Sequence, residues 1–470
     1  MLDIESIFYP ESIAIVGAST NPDTLGTKNF LQPFLHFGYP GRLYPVNPNY
    51  SEIMGLKAYA SVRDIPERVD YVICVISASQ TPQLMQDCVA AGVKVVALYT
   101  AGFSDTGEEE GIRLESELLE IARRGGVRIL GPNCLGIHTP GARIIYEMES
   151  NIRSGNVGFC SQSGGNTKDL IAIGAARGIY FSKVVSYGNA IDLNESDFIE
   201  YFARDDETGI IAAYIEGIKQ PQRFARVLGH AARTKPVIIL KGGQTEAGRG
   251  AAASHTGSLA GSKEIWDALC RQKGAIQVGN LDEMADTILA FSYLKPPGGR
   301  RVAIVGVGGG MSVQAADDCE NASLIVPPFP PEVRRELRKF NPKEGTSIRN
   351  PLDASQNTYG DPALISSALE IISGCGDIDA ILIMLSSRHA ISRVSVQAWM
   401  EQIEAVIETG KRLDKPLAVI LLGATTAEAY KLIFEVQKRF SESGFATYPS
   451  VGRAAQAINR LIGFHESRGL

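Results

Sequence analysis

Short apolar runs rich in Val and Ile recur along the whole chain. They include SIAIV (12–16), YVICVI (71–76), VKVVALY (93–99), GIIAAYI (209–215), PVIIL (236–240), RVAIV (301–305) and AILIML (380–385). Such runs fit strands buried on both faces, as in parallel sheets. Amphipathic stretches lie between them, and the periodicity predicts helices at 108–125, 220–233 and 395–413. Strand–helix alternation over the full length predicts an α/β protein of doubly wound domains.

Two places interrupt the alternation. After GPNCLGIHTPG (131–141) the text is irregular until a new strand near Asn156. At KPPGGR (295–300) Pro and Gly cluster between a helix and a fresh strand–glycine–helix start, which predicts a linker. Glycine- and hydroxyl-rich loops directly follow the strands: GAS (17–19), SAS (77–79), TAGF (100–103), GPN (131–133), SQSGG (161–165), YGN (187–189), EG (216–217) and KGG (241–243). Ligands of open parallel sheets bind outside the carboxyl ends of strands. The same loops are also ordinary turn chemistry, so the set carries more weight than any member.

The length of 470 residues suggests about three domains at roughly 150 residues each. With 44% hydrophobic and 21% charged residues, a core of normal size can form. A net charge of -6 without long Lys/Arg runs argues against a surface that tracks nucleic-acid phosphates. Small anions stay open, since backbone amides bind them whatever the net charge. Seven cysteines without a C-x-x-C pair suggest neither a disulfide frame nor a zinc site. The first residues, MLDIESIFYPESIAIVGAS, lack a basic start before an apolar signal core, and no apolar stretch approaches the roughly 20 residues that span a bilayer. The expectation is a soluble, cytoplasmic chain.

The candidate chemistry sits in a few loops. Gly17-Ala18-Ser19 ends the first strand and leads toward a helix, suiting either a phosphate or a plain turn. It is not the dinucleotide fingerprint: Ser19 stands at the second glycine, and VNPN (46–49) ends the second strand without an acid for a ribose hydroxyl. Ser163, Gly164 and Gly165 join a strand to a helix start, as do Gly308, Gly309 and Gly310; both are candidate phosphate sites, and the second taken alone suits a tight turn as well. His255 stands in GAAASHTGSLAG (250–261), a run of small residues suited to movement rather than to packing. A largely neutral imidazole can act there as a nucleophile, or be a plain surface residue. Glu216 at a strand's carboxyl end can orient a histidine, or be a solvated loop acid. Cys134 reads as a small buried thiol rather than a nucleophile.

Taken together, ASHTGSLAG (253–261), SQSGG, YGNAIDL (187–193), YIEG (214–217), GPNCLG (131–136) and NPLD (350–353) stand in the order found in the NDP-forming acyl-CoA synthetases. The chain resembles these enzymes over nearly its whole length. Within the family it resembles particularly the α subunit of ADP-forming acetyl-CoA synthetase, a relative of succinyl-CoA synthetase.

The resemblance implies an N-terminal Rossmann-like CoA-binding domain (1–140) and a flavodoxin-like ligase domain with the phosphohistidine loop (141–295). A second flavodoxin-like ligase domain follows (301–470). His255 would match the phosphorylated residue and Glu216 its partner acid. Residues 163–165 and 308–310 would match the two phosphate-holding helix starts. CoA would lie along Gly17, Ala18, Ser19, Pro48, Ser77, Ala101, Gly102, Phe103, Pro132 and Asn133. The reaction implied is reversible conversion of carboxylic acid, CoA and ATP to acyl-CoA, ADP and phosphate, through acyl phosphate and phosphohistidine. The family's ATP-grasp domains have no counterpart in this sequence, so ATP/ADP and Mg²⁺ are expected mainly on a β subunit, with which the chain forms a hetero-oligomer. No metal-ligand set of its own is expected.

Three departures stand out: Asn49 where the family often has Lys, Asp105 where it often has Glu, and NTKD (166–169) after SQSGG where small apolar residues are usual. The first two bear on details of CoA contact, and the third signals an unusual acid substrate or nothing. The alternative is a non-catalytic CoA-binding regulatory or carrier module, which gives no reason to keep both Glu216 and the His255 loop. A nicotinamide oxidoreductase is disfavoured by the missing second glycine and acid.

Overall fold

A computed structural model describes residues 4–146, 148, 152–248, 250, 262–306, 308–340, 347–353, 361–387 and 395–469. Its strands form three main sheets. The first has the order β2-β1-β5-β6-β7 and is parallel throughout: β1 Ser12–Val16, β2 Arg42–Val46, β5 Tyr71–Cys74, β6 Val95–Leu98 and β7 Arg128–Leu130. A small antiparallel ribbon, β3 Glu52–Ile53 with β4 Leu56–Lys57, stands beside it in sequence. The second sheet has the order β13-β12-β11-β9-β10-β8, built from β8 Gly136–His138, β9 Val157–Ser161, β10 Phe181–Ser186, β11 Ile210–Ile215, β12 Val237–Lys241 and β13 Ile276–Val278. All of it is parallel except β8, which runs antiparallel to β10. The third, also parallel, has the order β15-β14-β16-β17-β18: β14 Val302–Gly306, β15 Leu352–Asp353, β16 Ala380–Ser386, β17 Leu417–Leu422 and β18 Thr447–Tyr448.

Counted along its parallel strands, each sheet has the flavodoxin-like order 2-1-3-4-5, with a crevice where the winding reverses. The apolar runs seen in the sequence are these strands: β1, β5, β6, β12 and β14 are buried at every residue. The predicted helices form at Glu109–Gly125, Pro221–Thr234 and Val396–Arg412. The first shows why. Glu109 and Glu110 stand in its first turn and Arg123 and Arg124 in its last, complementing the helix dipole, and left-handed Gly126 ends it. Its Leu118 and Ala122 enter the core of the first sheet with Val72, Val96 and Leu98.

The chain divides into two compact units, Met1–Ala175 with Tyr180–Met284, and Ala176–Ile179 with Ala285–Leu470. The first unit holds the first two sheets and the second unit holds the third. Within the first, β8 lies N-terminal to the expected boundary at 140 yet hydrogen-bonds into the second sheet. In the second, the Pro-Gly segment 295–300 is fastened down: Lys295 donates to the Leu413 carbonyl at 3.2 Å and Arg300 pairs with Glu466 at 2.6 Å. No helix among the described residues is long and apolar enough to cross a membrane.

Candidate functional site

The crevice of the first sheet opens at the carboxyl ends of β1, β2 and β5. Gly17 leaves β1 at φ +99°, and a Cβ there would lie 2.7 Å from Val75 Cγ2, so the turn requires glycine. The buried Ala18 carbonyl accepts from Asn47 Nδ2 at 2.8 Å, which ties the GAS turn to VNPN. Ser19 is held by Thr27, whose hydroxyl oxygen accepts the Ser19 amide at 3.0 Å and whose hydroxyl donates to the Ser19 carbonyl at 2.8 Å. Gly17 and Pro48 line a cavity of about 570 Å³ together with Asn49, Ser61, Gln80 and Asp87.

A second cavity, of about 620 Å³, continues along the strand ends. Ser77, Ala101 and Asn133 line it from the first sheet, and Ser163, Gly164 and Gly165 from the second, where they open the helix Gly164–Arg177. The amides of a helix's first turn have no partner within the helix and favour an anion. Ser163 shapes this start: its hydroxyl accepts the Asn166 amide at 3.2 Å and its carbonyl accepts the Thr167 hydroxyl at 2.6 Å. Lys168, one turn in, is the one Lys, Arg, Asp or Glu among the described residues lining this cavity. It belongs to the unusual NTKD segment.

The loops around the cavity are held by one polar cluster. The Asp105 carboxylate accepts the amides of Gly102 and Phe103, both at 3.0 Å, and Asn189 Nδ2 at 3.0 Å. Burial pushes the Asp105 carboxyl up, but these donors outweigh it and hold it below the usual carboxylate range. Asp105 therefore clamps the AGF turn from within. The Phe103 ring is wholly buried in the core of the first sheet, so Ala101 is the residue of this turn that lines the cavity. Asn189 also donates its amide to the Pro132 carbonyl at 3.0 Å, and Lys219 Nζ donates to the Asn189 carbonyl at 2.7 Å. Burial lowers the Lys219 pKa, opposed by Glu115 and Glu195. Asn133, at φ +56°, lines the cavity beside Cys134, whose buried thiol is pushed up to about 12 and so stays protonated.

Glu216 follows β11, the strand between β9 and β12, and is buried. Its Oε1 accepts the Tyr214 hydroxyl at 3.1 Å, and its amide donates to the Gln162 side chain, which also lines the 620 Å³ cavity. His255 lies outside the described residues. Gly308, Gly309 and Gly310 belong to the second unit. Gly308 follows β14 at φ +84° and donates to Asp353 Oδ1 at 3.2 Å, while Gly309 and Gly310 open the helix Gly309–Asn321. NPLD is a fastening here: Asn350 accepts the Ile304 amide at 3.0 Å and donates to the Val302 and Pro327 carbonyls. Among the described residues no three His, Cys, Asp or Glu form a metal-binding group.

Sequence reasoning passed over Gln162, Lys168, Asn189 and Lys241 as individual residues, although each stands in a segment it had marked. The signal available was a long polar side chain inside a glycine-rich loop, where small residues do the rest of the work.

Comparison with known proteins first defines the class. Residues 11–140 match the family model of a CoA binding domain, and residues 154–291 that of a succinyl-CoA ligase like flavodoxin domain. The α subunit of acetate–CoA ligase [ADP-forming] II of Pyrococcus furiosus is 36% identical over 464 residues, covering 98% of this chain and 97% of the relative. The dinucleotide-forming acetyl-coenzyme A synthetase 1 of Ca. Korarchaeum cryptofilum, solved with phosphate and ADP, is 31% identical with a TM-score of 0.85, covering 99% of this chain and 98% of that one. The chain belongs to the ADP-forming acetate–CoA ligase family. Against acetate–CoA ligase [ADP-forming] I of Archaeoglobus fulgidus it is 38% identical over 384 residues, which are 82% of this chain but only 55% of that relative.

Proposed function

We propose that this chain is the α subunit of an ADP-forming acyl-CoA synthetase that interconverts carboxylic acid, CoA and ATP with acyl-CoA, ADP and phosphate. The observation that carries the reading is the 620 Å³ cavity, in which strand-end loops of the first sheet meet the helix start at Ser163–Gly165, with Gln162 linking its wall to Glu216. The domains are taken as 1–140 for CoA, 141–295 for the ligase-like domain with the histidine loop, and 301–470 for the second ligase-like domain.

CoA lies along the GAS turn, Pro48, Ser77 and the AGF and GPN loops, with its thioester end in the larger cavity. Phosphate, held by the amides at 163–165, attacks the thioester carbonyl, and the C–S bond breaks to release CoA and leave acyl phosphate. His255 then attacks phosphorus, the P–O bond to the acyl oxygen breaks, and the carboxylate leaves. Glu216 fixes the imidazole and offsets its positive charge during transfer. The phosphoryl group passes from His255 to ADP, giving ATP, with the amides at 308–310 as a second phosphate-holding helix start. Amides aimed at spread phosphoryl charge are the main requirement of such transfers. ATP/ADP and Mg²⁺ are assigned to an ATP-grasp β subunit. The relatives named as α subunits support a separate partner, and the longer relatives fit its fusion to the same chain.

The test is transfer of label from ³²P-acetyl phosphate to the chain, with CoA affinity measured in parallel. The phosphoryl group should be stable to base and labile to acid. His255→Ala should abolish labelling and spare CoA binding. Glu216→Gln should slow it by roughly 10²–10⁴-fold, the usual worth of such assistance. Undiminished labelling of His255→Ala overturns the phosphohistidine. CoA binding without any labelling of the wild type, partner present, would support the regulatory module instead.

A further inference from the structure

The peptide units on both sides of Glu216 are gripped by side chains from the two neighbouring strands. On one side, Gln162 follows β9, is buried, and uses a single amide oxygen to accept the backbone N–H of Glu216 and, at 2.9 Å, that of Gly217. On the other, Lys241 ends β12, where it pairs in register with Ile215. Its buried ammonium donates to the Glu216 carbonyl at 2.7 Å and to the Gly242 carbonyl, and lies 5.8 Å from the centroid of the Trp266 ring. Gly242 leaves the room this needs, since a Cβ there would lie 2.6 Å from the Tyr214 hydroxyl and 3.2 Å from Glu216 Cγ.

We infer that Lys241 and Gln162 are positioning residues for Glu216, fixing the main chain from which its carboxylate serves the transferred phosphoryl group. The inference rests on the role proposed above for Glu216 and goes beyond it, because Lys241 need touch no substrate and Gln162 acts here through the Glu216 backbone rather than through the cavity it lines. A buried ammonium on two carbonyl oxygens is a costly way to hold a strand end unless its charge is also used. Here the groups that face it among the described residues are the Glu216 carboxylate from β11 and the Trp266 ring from the helix Lys263–Lys273. Burial lowers the Lys241 pKa, and Glu216 opposes the fall. The positive charge facing Glu216 is therefore lost on the alkaline side, at a pH below the ordinary lysine range, and the grip weakens with it.

Labelling by ³²P-acetyl phosphate tests this with Lys241→Met, Lys241→Arg and Gln162→Leu beside Glu216→Gln. Loss of either grip should slow labelling by about 10–100-fold, as displacement of a reacting group by an ångström does, while CoA affinity stays within about twofold in Lys241→Met, which lies outside the lining of the cavity. Lys241→Arg, which keeps the charge, should recover most of the rate and extend the alkaline limb to higher pH. Wild-type rates in Lys241→Met and Gln162→Leu, with Glu216→Gln slowed, overturn this inference and leave the proposed function standing. A normal rate in Glu216→Gln removes the role on which both rest. If Lys241→Met does not fold, the alkaline limb decides, and an unmoved limb in Lys241→Arg refutes the positioning role.

Discussion

Removing the Asp105 carboxylate should loosen the cavity wall more than its place on a loop suggests. Three donors converge on it at 3.0 Å: the amides of Gly102 and Phe103 and Nδ2 of Asn189. Hydrogen bonds to a charged group contribute roughly 1.5–3 kcal/mol each, but the sum is an upper bound, because the exposed side of the turn regains water. We expect Asp105→Ala to destabilise by about 2–4 kcal/mol and to weaken CoA binding by at least tenfold through the Ala101 and Asn133 walls. Asp105→Asn should do nearly as badly, since its NH₂ group faces an N–H. The lowered pKa fixes the sign of the pH effect. The stabilisation is complete above the unfolded value of about 3.9 and is lost as pH falls through the folded one. Urea unfolding between pH 3 and 7, with calorimetric CoA titration, measures both. A variant with an unchanged urea midpoint and CoA affinity would refute the clamp.

Two further outcomes are expected. Glu195 is buried and its carboxyl is pushed up to about 7, first by that burial. The folded state then holds a proton that the unfolded state releases, and wild-type stability falls from about pH 4.5 to 7 by up to roughly 1.4 kcal/mol per unit. Glu195→Gln should abolish that slope in denaturant titrations, and a slope that persists counts against the buried carboxyl. Lys168→Met should raise the phosphate KM about tenfold, a change of ~1.4 kcal/mol, with CoA affinity unchanged. Steady-state kinetics with the partner subunit would show an unaltered KM if the lysine plays no part.

The long elements were legible because their signal is local. Runs such as SIAIV and AILIML can bury both faces only inside a parallel sheet, and 109–125 carries its own charges and stop. β8 was not legible, because Gly-Ile-His is three residues long and gains its strand geometry only from β10. The parts played by Gln162 and Lys241 were hidden for a similar reason. They depend on β9 and β12 flanking β11, and neighbours across a sheet are not written in adjacent letters. The burial of the Phe103 ring was hidden too, because it depends on the reversal at Gly102, which turns the ring into the core.

The segment 187–193 runs against 129–133 as a backbone seam. Ile191 and Leu193 donate to the carbonyls of Gly131 and Ile129, Arg128 holds Asp192 at 2.7 Å, and Gly188 comes so close that a Cβ would lie 2.1 Å from the Pro132 carbonyl. This arrangement imposes an order on synthesis. A growing chain can lay down β1, β2, β5, β6 and β7 by residue 130 and tie Asn133 and Cys134 back to the Thr100 and Leu98 carbonyls, yet the partners of the turn's other side arrive only when residue 193 has left the ribosome. The nascent first sheet therefore waits, with one side of its GPN loop uncovered, through some sixty residues of further elongation. Proteolysis of chains stalled with residue 193 just inside and just beyond the ribosome's exit would show the loop becoming protected in a single step.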